Sequence, residues 1–303
     1  MLEAGLSFSR FAHYVAVSAL FGIALFPLYS GLSRADSESA RFFHWLSGAV
    51  ATAAVATLVA NVAWLALTTA NMNGELSAAF APPALWSVIQ KTSFGHVWRL
   101  RLIINVILVA ITLGHLAFRR SEPHGILVPL LSGMLLASVA GTGHTQVGGS
   151  AAGLLHVAAD ATHLLAAGAW LGGLIALAFI LKECPPAAAG VLTRFSGMGY
   201  AAVSVLIGTG LVNSWFLVGS FPRLITTAYG QLLLVKLVVF TGMLGLAMAN
   251  RFWLVPSLIQ SADGSAASLL KLRQHVTGEQ VLGALVLLIV SILGTMEPAM
   301  APS

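Results

Sequence analysis

The chain has 303 residues, 58% of them hydrophobic and 8% charged, with a formal net charge of +5. Soluble domains carry about 25% charged residues, so this deficit excludes a water-soluble core and points to a polytopic membrane protein. The positive surplus does not imply nucleic acid, because Lys and Arg sit at the ends of apolar runs and form no solvated basic patch to neutralise phosphates.

In chain order, the apolar runs predict eight transmembrane helices at about residues 8–32, 43–70, 100–118, 125–141, 153–181, 196–219, 231–253 and 277–296. They are too long and too even for barrel strands, so the expected fold class is an all-α membrane protein. The first run lacks a basic leader and a small-residue cleavage site and is expected to remain as a helix. Polar punctuation separates the runs, for example Ser33-Arg34-Ala35-Asp36 and Lys182-Glu183-Cys184-Pro185-Pro186. The longest connection, about residues 71–99, holds Pro82-Pro83 and Trp86 and is expected to lie partly in the interface. Arg34, Arg41, Arg119, Arg120, Lys182, Arg194, Arg251, Lys271 and Arg273 fall on one side, against fewer basic residues on the other. The richer side is expected to be cytoplasmic, so both termini are expected to face outward.

The two halves echo each other. Thr92-Ser93-Phe94-Gly95-His96 leads to Arg101-Leu102, and Thr227-Ala228-Tyr229-Gly230-Gln231 leads to Lys236-Leu237 at one shared offset. His13 and Gly22 are spaced as His163 and Gly172. Arg41-Phe42 and Asn61 echo Arg194-Phe195 and Asn213, with the spacing slipping by one. The expectation is a tandem four-plus-four parallel repeat, residues 1–141 and 142–303, forming one membrane domain.

The chemistry concentrates in the fifth run. His156, Asp160 and His163 fall at i, i+4 and i+7 and so share one helix face, and ionisable groups inside a bilayer are costly and usually functional. His163 lies about 15 Å into its helix at 1.5 Å per residue, too deep for the interface. Asp160 has two readings: a structural ion pair with Lys236 or Arg101, or an acceptor that orients a ligating imidazole. His156 reads as either an interfacial histidine or a ligand. The outward connection Gly141-Thr142-Gly143-His144 reads as a flexible hairpin or as a fold that sets His144 above this helix. With His13 and His96 these residues form an outer group of imidazoles, a donor type that suits copper, zinc and iron. His44, His115, His124 and His275 form an inner group, either headgroup-facing or an exit for an ion. Asn61 and Asn213 are expected to be interhelical hydrogen-bond partners, and Arg101 and Lys236 to reach the outer headgroups. The single Cys184 excludes an intrachain disulfide, a CxxC motif and a Cys-only metal site. No P-loop or other motif for ATP use is present, and no enzymatic constellation, so a non-enzymatic function is expected.

The segment His163-Leu164-Leu165-Ala166-Ala167-Gly168-Ala169-Trp170-Leu171-Gly172-Gly173-Leu174 resembles the CopD family of copper resistance proteins. So do Thr227-x-Tyr229-Gly230-x-Leu232-Leu233-Leu234-x-Lys236-Leu237 and Gly141-x-Gly143-His144, and the likeness covers most of the chain from about residue 90. The resemblance implies a copper-handling protein of the bacterial inner membrane, with both termini in the periplasm, and a separate periplasmic CopC-like carrier is the expected partner, since nothing in these 303 residues resembles the carrier domain fused to some family members. The expected route runs from His144 and His156 to a site with His163 and His13, tuned by Asp160. The alternative is a b-type haem protein in which His13 and His163 supply bis-His ligation.

Overall fold

The computed structural model describes residues 2–118, 125–142, 151–260 and 266–300. Every regular element among them is helical. The helices are α1 (Leu2–Ser30), α2 (Ala40–Asn73), α3 (Pro82–Lys91), α4 (Ser93–Ala117), α5 (Leu127–Ala137), α6 (Ala151–Glu183), α7 (Ala188–Leu217), α8 (Phe221–Thr226), α9 (Ala228–Ala249), α10 (Val255–Gln260) and α11 (Ala266–Leu293). A π-helical segment, Asn250–Leu254, joins α9 to α10.

Among the described residues, seven helical stretches are long and apolar enough to cross a membrane. The fourth expected span is shorter: α5 and the 3-10 turn after it give an apolar helix over Leu127–Ala140. That is about 22 Å at 1.5 Å per α-helical and 2.0 Å per 3-10 residue, short of the roughly 30 Å hydrocarbon core. The last span differs as well. It begins at Ala266, not near residue 277, because the polar residues Lys271, Arg273, Gln274 and His275 extend the helix rather than interrupt it.

The connection before α4 is itself helical. Gly74 ends α2 with φ of 75°, a conformation that glycine adopts without a Cβ penalty. Pro82 and Pro83 then start α3, where a missing N–H costs nothing. The Thr92 hydroxyl caps α4 by accepting from Gly95 N at 2.9 Å, and the Thr227 hydroxyl caps α9 by accepting from Gly230 N at 3.1 Å. A Cβ on Gly95 would strike the end of α3, and one on Gly230 the end of α8, so each glycine lets a short helix dock against the start of a long one. His96 Nε2 lies 3.1 Å from Gln90 O, and Gln231 Nε2 donates to Ile225 O at 3.1 Å. The two halves thus build this corner alike, down to a side chain reaching back six residues.

α1 runs through the centre, packed on α2, α5, α6 and α11. It crosses α6 at glycines: a Cβ on Gly22 would meet Gly168 O and the Gly172 backbone, and one on Gly172 would meet Ser18 O and Gly22 Cα. These contacts are reciprocal at an offset of 150 residues. Below the crossing lies the main apolar core, with Phe26, Phe42, Leu177, Ile180 and Leu181 buried and Trp45 stacked on Phe179 at 4.4 Å. The sequence expectation that Arg101 reaches the headgroups fails, because the residue is fully buried. It donates to the Ser138 hydroxyl at 3.0 Å and carbonyl at 2.8 Å, with its guanidinium over the Trp64 ring at 5.0 Å. Polar partners on the neighbouring short helix make a buried position tolerable.

Candidate functional site

A cavity of about 370 Å³ lies between α1, α6, α7, α9 and α11. Its walls are mostly apolar, and its polar groups include Arg10, His156, Asp160, His163, Asn213, Tyr229 and Lys236. The helical spacing of α6 explains why three of them meet there: residues four and three apart stack on one face.

The hydrogen bonds of His163 to α7 favour one tautomer. Its Nδ1 lies 2.9 Å from the Thr209 hydroxyl. That hydroxyl donates its only hydrogen to Val205 O at 2.6 Å, so it accepts from His163 Nδ1–H. The other ring nitrogen, Nε2, then keeps its lone pair, the form in which neutral imidazole binds a metal. An acceptor on one ring nitrogen fixes the tautomer and ring orientation, as it does for metal-ligating histidines.

Asp160 sits one turn above. Asn213 Nδ2 donates to Asp160 Oδ1 at 3.2 Å. Lys236 lies on the same cavity, but the ion pairs within 4.0 Å among the described residues are Arg41–Glu183 and Lys182–Glu183. Asp160 is therefore held by an amide and faced by a cation across the cavity. Arg101, the other partner expected for it, is engaged by Ser138. His156 is buried, lines the cavity and stacks flat on Phe216, with centroids 4.6 Å apart and planes 8° from parallel.

No group of three or more His, Cys, Asp or Glu side chains is gathered closely enough to hold a metal ion among the described residues. On α6 this follows from spacing: His156 and His163 are seven residues, about 10 Å, apart along the axis, so Asp160 can pair with either but not both. His156, Asp160 and His163 thus line the cavity in succession along α6.

Comparison with known proteins identifies the family. A family profile described as "Copper resistance protein D-like, N-terminal domain" matches residues 1–154, and one described as "Copper resistance protein D" matches residues 189–293. Copper resistance protein D of Pseudomonas syringae pv. tomato is 32% identical over 303 aligned residues, 96% of each chain. The chain belongs to the copper resistance protein D family. Inner membrane protein YebZ of Escherichia coli (strain K12) is 29% identical, over 95% of this chain and 97% of its own. Copper transport protein CutJ of Bacillus subtilis (strain 168) is 31% identical, over 80% of this chain and 45% of its own. No solved structure matches.

Of the residues that the sequence singled out, the structure brings His156, Asp160 and His163 to one cavity and leaves others outside it. His13 is fully buried elsewhere on α1, its ring 5.3 Å from Trp64, with no hydrogen-bond partner for either nitrogen among the described residues. His96 is exposed at the start of α4. His144 lies outside the described residues. The sequence reading leaves Thr209 and Tyr229 out of the site and gives Lys236 only as a structural partner of Asp160. The Thr-x-aromatic-Gly motif shared by Thr92–Gly95 and Thr227–Gly230 and the i−4 relation of Thr209 to Asn213 carry that signal, but helix pairing is needed to use it.

Proposed function

We propose that the protein is a multi-pass inner-membrane protein that binds copper and mediates its uptake or transfer through the α6 cavity. The observation that supports this reading is the buried His163 imidazole, with Nδ1 2.9 Å from the Thr209 hydroxyl, on the cavity that Asp160 also lines. Copper is the cargo that the family description and the names of two relatives indicate. His156 with Asp160, and then Asp160 with His163, would hold a moving ion in turn, because two-donor sites hold it without trapping it. His144 would receive the ion above α6 from a periplasmic CopC-like carrier, with both termini on that side. His13, His96 and the inner histidines are assigned to the route's periphery. The tandem repeat of residues 1–141 and 142–303 is supported by the two capped corners and by the reciprocal Gly22–Gly172 crossing.

The work is binding and transfer rather than catalysis. The haem alternative gains no support: His13 does not line the cavity that holds His163, so the pair is not presented to one iron. The test is titration of the purified, detergent-solubilised protein with Cu(I), beside elemental analysis for copper and iron. His163→Ala is expected to lose high-affinity binding. Unchanged binding in that variant would refute the assignment.

A further inference from the structure

α11 buries a second carboxylate. Glu279 lies near the middle of the helix and is 2% exposed. Its Oε1 accepts from Asn250 Nδ2 at 2.6 Å. It lines a separate cavity of about 110 Å³, together with Trp170, Ser196, Tyr200, Asn250 and Arg251. Asn250 opens the π-helical segment, and such bulges concentrate at functional sites because they leave the helical ladder locally unmatched. Asn250 Oδ1 and Arg251 Nε are buried with no hydrogen-bond partner among the described residues.

Trp170 lines both this cavity and the one holding His163. It sits two heptads below His156 on the same face of α6, about 21 Å along the axis. The two cavities are therefore consecutive, with one indole between them. The lower one lies toward the end that the basic residues assign to the cytoplasm.

We propose that Glu279 is a proton-binding site that exchanges its proton for the cation passing Trp170. This rests on the proposed function for the identity of the cation, but not for the proton. The groups that face Glu279 are Trp170 from α6, Ser196 and Tyr200 from α7, and Asn250 and Arg251 from the π segment, with His275 one turn away on α11. None of the ion pairs within 4.0 Å among the described residues involves it. A carboxylate without a contact cation at this depth is costly, whereas the neutral acid is not. In the exchange, the carboxyl O–H bond breaks, the proton leaves to water on the inner side, and the carboxylate so formed receives the cation. No electron is transferred.

Infrared difference spectroscopy of the whole protein tests this. Wild type minus Glu279→Gln at neutral pH is expected to show the C=O stretch of one protonated carboxyl. A difference containing only carboxylate bands overturns the proposal. Glu279→Asp, which shifts that band without removing it, serves if the Gln variant does not accumulate. Saturating Cu(I) is expected to remove the band in wild type but not in His163→Ala. A proton band that survives copper in a wild-type protein shown to bind copper overturns the exchange. Absence of copper binding with the band intact would instead fault the copper reading.

Discussion

Substitution of Gly22 by Ala tests the crossing on which the whole arrangement turns. The added Cβ would lie 2.5 Å from Gly172 Cα and 2.8 Å from Gly172 C, and closer still to Gly168 O. Carbon atoms prefer about 3.5–4.0 Å, so α1 and α6 must separate by roughly 1 Å. All three obstructing atoms are backbone, and no rotamer change relieves them. Overpacking costs about 1–3 kcal/mol, and a rigid backbone contact belongs at the upper end. Alanine's helix propensity returns about 1 kcal/mol. The net expectation is a loss of about 2 kcal/mol, roughly 30-fold in the folded population. Gly48→Ala is the control, because nothing lies within 4 Å of its Cβ, and it should be neutral or stabilising. Gly172→Ala should match Gly22→Ala, and the double variant should cost less than the sum, since one separation relieves both clashes. Thermal unfolding in detergent reads all four variants. Equal stability of Gly22→Ala and Gly48→Ala would refute the close crossing.

Two further predictions concern the cavity and the orientation. Lys236→Gln removes a cation facing Asp160 and should tighten Cu(I) binding about tenfold, or ~1.4 kcal/mol; weaker binding would make Lys236 a structural partner that the site requires. Cys184 is buried at 2% exposure, so topology needs cysteines placed elsewhere in a Cys184→Ser background. Ser220→Cys should react with an impermeant thiol reagent outside intact cells and Ala35→Cys should not, and the reverse pattern would invert the orientation.

The sequence alone determined the helical membrane class, because a bilayer admits long apolar runs only as backbone-satisfied helices. It also determined that His156, Asp160 and His163 share a face, since helical periodicity is local. The Thr92 and Thr227 caps were legible as a repeated motif for the same reason. Tertiary structure decided which faces meet. Thr209 becomes the acceptor for His163, Asn213 the donor to Asp160, and Arg101 a buried partner of Ser138, and each pairing joins residues 37 to 53 positions apart. It also moved Glu279 from the edge of an expected span to the middle of α11 and set it beside Asn250. Side-chain spacing within a helix is fixed by its pitch, but contact between helices depends on where glycines allow close approach, and no local pattern encodes that distance.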